Sequence, residues 1–170
     1  MMAATLLLIL PLGLVTAALT DLFEMKIPNA IPVLLLLGFA ALAIVLGLPW
    51  RDVGLHLLAG LVVFWACFVF FAVNVMGGGD AKLMTAAAVW FGFNASLLEF
   101  LAQVAVFGGV LTVLILIIRS QSSHLLALGL RMPRSLLVEK KIPYGIAIAL
   151  GGFCTISQSP LAIMVLDAAK

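Results

Sequence analysis

A chain of 170 residues that is 65% hydrophobic and only 9% charged, with a mean hydropathy of +1.33, is excluded from the water-soluble domains, where about a quarter of residues carry charge. A net charge of +2 is too small to suggest nucleic acid as a partner. The two cysteines, Cys67 and Cys154, lie in apolar runs with no CxxC pair, which reads as buried thiols and rules out cysteine-ligated zinc.

The apolar runs set the fold class. A bilayer core of about 30 Å needs roughly 20 apolar residues in a helix, and the chain carries such runs separated by short polar breaks. The expectation is an all-α integral membrane protein, with a single domain over 1–170 and a six-helix transmembrane bundle. The first helix spans 2–20. It lacks the basic n-region of a signal peptide and is too long for one, so it reads as a retained span. A polar break follows with Asp21, Glu24, Lys26, Pro28 and Asn29. Proline costs little in the first turn of a helix, so the second helix runs over 28–48 with Pro32 still in its first turns.

Pro49-Trp50-Arg51-Asp52 reads as a tight turn, with Asp52 capping a third helix over 53–75 and His56 bonded locally to Asp52. Gly77-Gly78-Gly79-Asp80-Ala81-Lys82 is the second polar break. A fourth helix over 81–93 is short for a span, and Trp90 suits the membrane interface. The fifth helix covers 97–118, with Glu99 at its interfacial start. A long polar connection over 119–141 reads as a segment lying on the membrane surface, with His124 solvated. The last helix covers 143–166, loosened at Gly151-Gly152.

Charge sets the direction of the spans. With the breaks at 21–29, 77–82 and 119–141 in the cytoplasm, Lys26, Lys82, Arg119, Arg131, Arg134, Lys140 and Lys141 lie inside and only Arg51 and Lys170 outside. The excess of basic residues on the cytoplasmic side then places both termini on the non-cytoplasmic side.

This topology brings Asp21 and Asp80 to one face. A carboxylate at the hydrocarbon boundary is expensive unless paired or wet, and so marks a functional site. Two carboxylates held close share one proton. The ionised one can take a proton from water while the protonated one supports a carbonyl under attack, which is amide hydrolysis without a covalent intermediate. Gly77, Gly78 and Gly79 permit backbone angles closed to other residues and let a second chain approach. The plainer alternatives are a flexible glycine loop with Asp80 as an N-cap, and Asp21 as a solvated interfacial charge. Lys26 and Lys82 read as snorkelling anchors or as groups tuning the pair. A phosphate loop is excluded because the GxxxxGK[ST] spacing is absent.

The whole pattern resembles the type IV prepilin peptidases, membrane aspartyl proteases of the GxGD class. The residues that carry the likeness are Gly77-Gly78-Gly79-Asp80 with Ala81-Lys82-Leu83, Asp21 followed by Lys26-Ile27-Pro28-Asn29, and Lys141-Ile142-Pro143-Tyr144-Gly145. The resemblance implies Asp21 and Asp80 as catalytic residues at the cytoplasmic face of a bacterial inner membrane, with Gly77, Gly78, Gly79, Lys26, Asn29 and Lys82 in support. It implies pilin-like precursors as substrates, lipids as surroundings, and neither a metal nor another cofactor. The chain lacks the CxxC-bearing domain of the bifunctional members, so it resembles the short peptidase-only branch of Tad/Flp pilus systems, without methyltransferase activity. Two other functions remain open on the residues alone: a small proton-coupled transporter, and a non-catalytic protein of pilus or secretion assembly.

Overall fold

The computed structural model describes residues 2–120 and 142–168, and these form helices and short connections with no strand among them. The surface segment expected over 119–141 lies outside the described residues except for Arg119 and Ser120. So do His124, Arg131, Arg134, Glu139, Lys140 and Lys141.

The first apolar stretch is two helices, α1 (Met2–Leu7) and α2 (Ile9–Glu24). They part at Leu8, where Pro11 has no N–H to offer the carbonyl of Leu7. α2 continues past the expected end at 20. It closes on Met25, whose left-handed backbone (φ 54°) turns its N–H onto the Asp21 carbonyl. Asp21 therefore sits in the last helical turn and is buried, which corrects its reading as a solvated charge. α3 (Ala30–Leu46) ends on Gly47 at φ 62°.

α4 (Trp50–Ala72) starts at Trp50 instead of Val53, because Pro49 takes the N-cap position. Asp52 is thus inside the first turn and caps nothing through its side chain. α5 (Gly78–Phe91) and α6 (Ala95–Ser120) follow. The last stretch is α7 (Tyr144–Thr155), a 3-10 turn over Ile156–Gln158, and α8 (Pro160–Asp167). The axis bends by 45° between the two arms. Ser159 causes the break: its hydroxyl accepts the Ala162 N–H at 3.1 Å, and Pro160 opens the new helix. The irregularity therefore falls here, and not at Gly151-Gly152, where the helix is expected to loosen.

Among the described residues, Met2–Glu24, Trp50–Ala72 and Ala95–Ser120 are long and apolar enough to cross a membrane, and the bent pair α7–α8 makes a fourth candidate. α3 is apolar but has 17 residues, and α5 has 14. The described residues are thus all helices and short connections, and the chain is a multi-pass membrane protein.

Lipid tails are as apolar as leucine, so the helices gain little from hiding from solvent and associate by close packing at small residues. Glycines mark the crossings. A methyl group at Gly60 would lie 2.6 Å from Val89 Cγ2, joining α4 to α5. At Gly151 it would lie 2.6 Å from Val104 Cγ2, joining α7 to α6. Gly152 meets Leu14 in the same way, which fixes α7 on α2. α5 occupies the middle of this packing. Its residues Leu83, Met84 and Ala86 to Phe91 are all buried. Trp90 is only 1% exposed, and its indole N–H reaches the Leu35 carbonyl at 3.0 Å. It is a core residue of the helix contact and not an interfacial anchor. Glu99 is exposed on α6. Of the two thiols, Cys67 is buried, but Cys154 is exposed, contrary to expectation.

Candidate active site

One end of the bundle collects the C-terminus of α2, the N-terminus of α3, the N-terminus of α5 and the N-terminus of α7. Between them lies a cleft of about 480 Å³. Asp21, Glu24 and Lys26 line it from α2 and the connection that follows, Gly77 to Asp80 from the start of α5, and Ile142 from the approach to α7. The two aspartates thus face one cavity although they come from different helices. Asn29 also borders it.

Asp21 reaches this position because α2 runs one turn past Thr20. Asp21 is 6% exposed, and its Oδ2 accepts the backbone N–H of Gly145 at 2.7 Å. A buried carboxylate must gain such partners or it is too costly to keep. The donor is free because Gly145 lies in the first turn of α7, where N–H groups have no intrahelical partner.

Asp80 is half-buried in the first turn of α5. It is not the N-cap. That position belongs to Gly77, which has extended backbone (φ −71°, ψ 145°). The Ala81 N–H returns to the Gly77 carbonyl at 3.0 Å, so the helix closes over the glycines.

This corrects the reading of the three glycines as an open segment. Gly78 and Gly79 are helical. None of the three has a positive φ, a feature confined among the described glycines to Gly47 and Gly92. Their absent side chains serve close approach instead. A Cβ at 77 would lie 2.7 Å from Asp80 Oδ2, and one at 79 would lie 3.2 Å from Ile27 Cβ. The glycines let α5 start directly against the α2–α3 connection, which narrows the cleft around Asp80.

Of the supporting residues, Lys82 and Asn29 are brought together: the Lys82 ammonium donates to Asn29 Oδ1 at 2.9 Å. This exposed bond ties α5 to the start of α3. Lys26 is exposed at the cleft. Glu24, in the same helical turn as Asp21, is exposed at the mouth.

Sequence reasoning left Gly145 out of the site. Its signal was present in Lys141-Ile142-Pro143-Tyr144-Gly145, but nothing in the spacing says that this N–H meets Asp21. His56 lies away from the cleft. Its Nδ1 is 2.6 Å from the Val89 carbonyl, which corrects the expected bond to Asp52. Among the described residues, no group of three or more His, Cys, Asp or Glu side chains is placed to hold a metal ion.

No curated protein and no solved structure matches the chain. A profile of the type IV leader peptidase family matches residues 8–118, a range that contains Asp21, the Lys26–Asn29 connection and the Gly77–Lys82 stretch. That match covers well over half of the sequence, and the chain belongs to the type IV leader peptidase family, a family of proteases.

Proposed function

We propose that the protein is a membrane aspartyl endopeptidase that removes the short basic leader of type IV pilin-like precursors, of the Flp type, with Asp21 and Asp80 as its catalytic pair. The observation that carries the reading is that these two carboxylates, from separate helices, line one cleft of about 480 Å³. A cavity of that size is within the range of small-ligand sites and takes a few residues of extended peptide with a water.

In this reading the pair holds one proton between two carboxylates. The ionised member removes a proton from water, and the hydroxide so formed attacks the scissile carbonyl. The protonated member donates to the carbonyl oxygen as charge develops there. Collapse of the tetrahedral species breaks the C–N bond. The amine leaves with a proton returned from the pair, and no acyl-enzyme forms. Pairing two carboxylates makes their titration a property of the pair.

The six apolar stretches act as one bundle over 1–170, with both termini on the non-cytoplasmic side and the cleft at the cytoplasmic face of the inner membrane. The support for this orientation is the concentration of lysine and arginine in the breaks at 21–29, 77–82 and 119–141. Cysteines placed at Ser122 and Arg51 test it: the first is labelled from the cytoplasm and the second from outside.

The decisive experiment is co-expression with a pilin-like precursor, scored by size shift and by sequencing of the new N-terminus. Asp21→Asn and Asp80→Asn each lower processing by about 10³-fold or more, on the scale of other catalytic-group deletions, with membrane insertion unchanged. Substantial cleavage by either variant removes the aspartate pair from the mechanism.

A further inference from the structure

Gly145 lies beyond the residues matched by the family profile, 8–118, yet it makes the closest polar contact of Asp21. Its N–H meets Oδ2 at 2.7 Å in a buried setting. The position also has no room for a side chain. A Cβ there would stand 2.9 Å from Asp21 Oδ2, 3.0 Å from Asp21 Cβ and 3.3 Å from the Ala17 carbonyl oxygen. The first of these distances is one that real Cβ atoms essentially never show, and the atoms met belong to a short side chain and to backbone. Asp21 or the helix start must therefore move if anything larger than hydrogen is placed at 145.

The frame around this contact is closely packed. On one side of Gly145, Tyr144 rests on α6, where a Cβ at Gly108 would lie 2.8 Å from its ring. On the other, Gly151 and Gly152 lock α7 against Val104 and Leu14. The donor is therefore held by α6 and α2 together, and Asp21 has one fixed oxygen.

We propose that Gly145 is a positioning residue for the hydrolysis: its N–H holds Oδ2 of Asp21, and this leaves Oδ1 as the oxygen that handles the proton at the cleft. The inference rests on the aspartate-pair reading. It adds to that reading a distinct job for each oxygen of Asp21, and it makes the register of α7 against α2 a determinant of rate. The other charged groups at the cleft, Glu24, Lys26 and Asp80, keep their places when Gly145 is changed, so binding of substrate is preserved while turnover falls.

The test is steady-state cleavage of a precursor peptide by the full chain in proteoliposomes. Gly145→Ala lowers kcat by about 10- to 100-fold, as losses of groups that orient an active residue do, while KM stays within about twofold. Replacing the amide at 145 by an ester, using glycolic acid in place of glycine, removes the donor without adding an atom to clash. It gives the same split and keeps the proposal testable if the alanine variant fails to accumulate. Gly60→Ala creates a comparable overlap at the α4–α5 crossing and serves as the packing control, losing thermal stability with kcat retained. Full kcat in the ester variant overturns the proposal, as does a loss carried by KM. Asp21→Asn is run in parallel. If it still cleaves, the aspartate-pair reading fails. If it is inactive while the ester variant is fully active, only the role of Gly145 fails.

Discussion

The two ends of α5 present the same device with opposite results. At each end a glycine is pressed against an ionisable side chain. At the N-terminal end Gly77 abuts the Asp80 carboxylate, and the neighbouring space is the cleft of about 480 Å³. At the C-terminal end Gly92, at φ +72°, lies over the ring of His56, with a Cβ placed there 3.0 Å from Cε1. That ring is 4% exposed. Its Nδ1–H donates to the Val89 carbonyl at 2.6 Å, and its ring centre lies 5.2 Å from that of Phe39, tilted by 36°. The pocket beside it, which Asp52 also borders, is about 220 Å³. The histidine spends its polarity on one of the last carbonyls of α5 and knits α4 to α5. The carboxylates border a larger space between helix ends. Burial and a nearby glycine therefore do not separate a brace from a candidate reactive group. What differs is the company: Asp80 shares its cleft with the carboxylate of Asp21, whereas the His56 Nδ1 is taken by a backbone carbonyl beside a smaller pocket.

Mutations at the two ends can break this contrast. The largest effect is expected for Gly77→Val, which drives a branched side chain into the Asp80 carboxylate. Cleavage falls by about 10- to 100-fold in a precursor-processing assay, with the protein still inserted. Gly92→Ala comes next, and its effect is on stability. A left-handed backbone and the ring beneath it cost about 1–3 kcal/mol, read as a lower melting temperature in detergent, with kcat retained. Abolished cleavage at undiminished stability would place the His56 end in the chemistry and end the comparison. His56→Ala removes the bond to Val89 and costs about 1–2 kcal/mol, again without loss of turnover per folded molecule. The smallest effect belongs to the exposed Lys82–Asn29 bond. A double-mutant cycle with Lys82→Met and Asn29→Ala gives a coupling of about 0.5–1 kcal/mol, measured on stability.

Much of the architecture is legible without coordinates, because charge is so rare in this chain that each polar break stands out. Asp21 and Asp80 are visible as carboxylates at the edges of apolar runs, and charge asymmetry puts them on one face. The errors share a physical origin: in each, a residue type was given the role it most often has when free of neighbours. Three glycines read as open backbone, yet α5 begins at Gly78 because Asp80 and Ile27 leave no room for side chains. Trp90 read as an interfacial ring, yet its N–H finds the Leu35 carbonyl inside the bundle. Gly151-Gly152 read as a weak point, yet they are where α7 is clasped, and the bend falls at Ser159-Pro160 instead. His56 read as bonded within its own helix, yet its partner comes from α5. Each outcome depends on which helix lies alongside, and a hydropathy pattern does not state that. The contact between Gly145 and Asp21 is the clearest case, since it joins the two ends of the sequence.

The helix ends at the cleft have an electrostatic consequence. α3, α5 and α7 all begin there, at Ala30, Gly78 and Tyr144, and each N-terminus carries about half a positive charge from its aligned peptide dipoles. α2 ends there and contributes about half a negative charge in return. The backbone alone thus makes the well electropositive by roughly one unit. Three helix starts add positive potential to the space that Asp21 and Asp80 border.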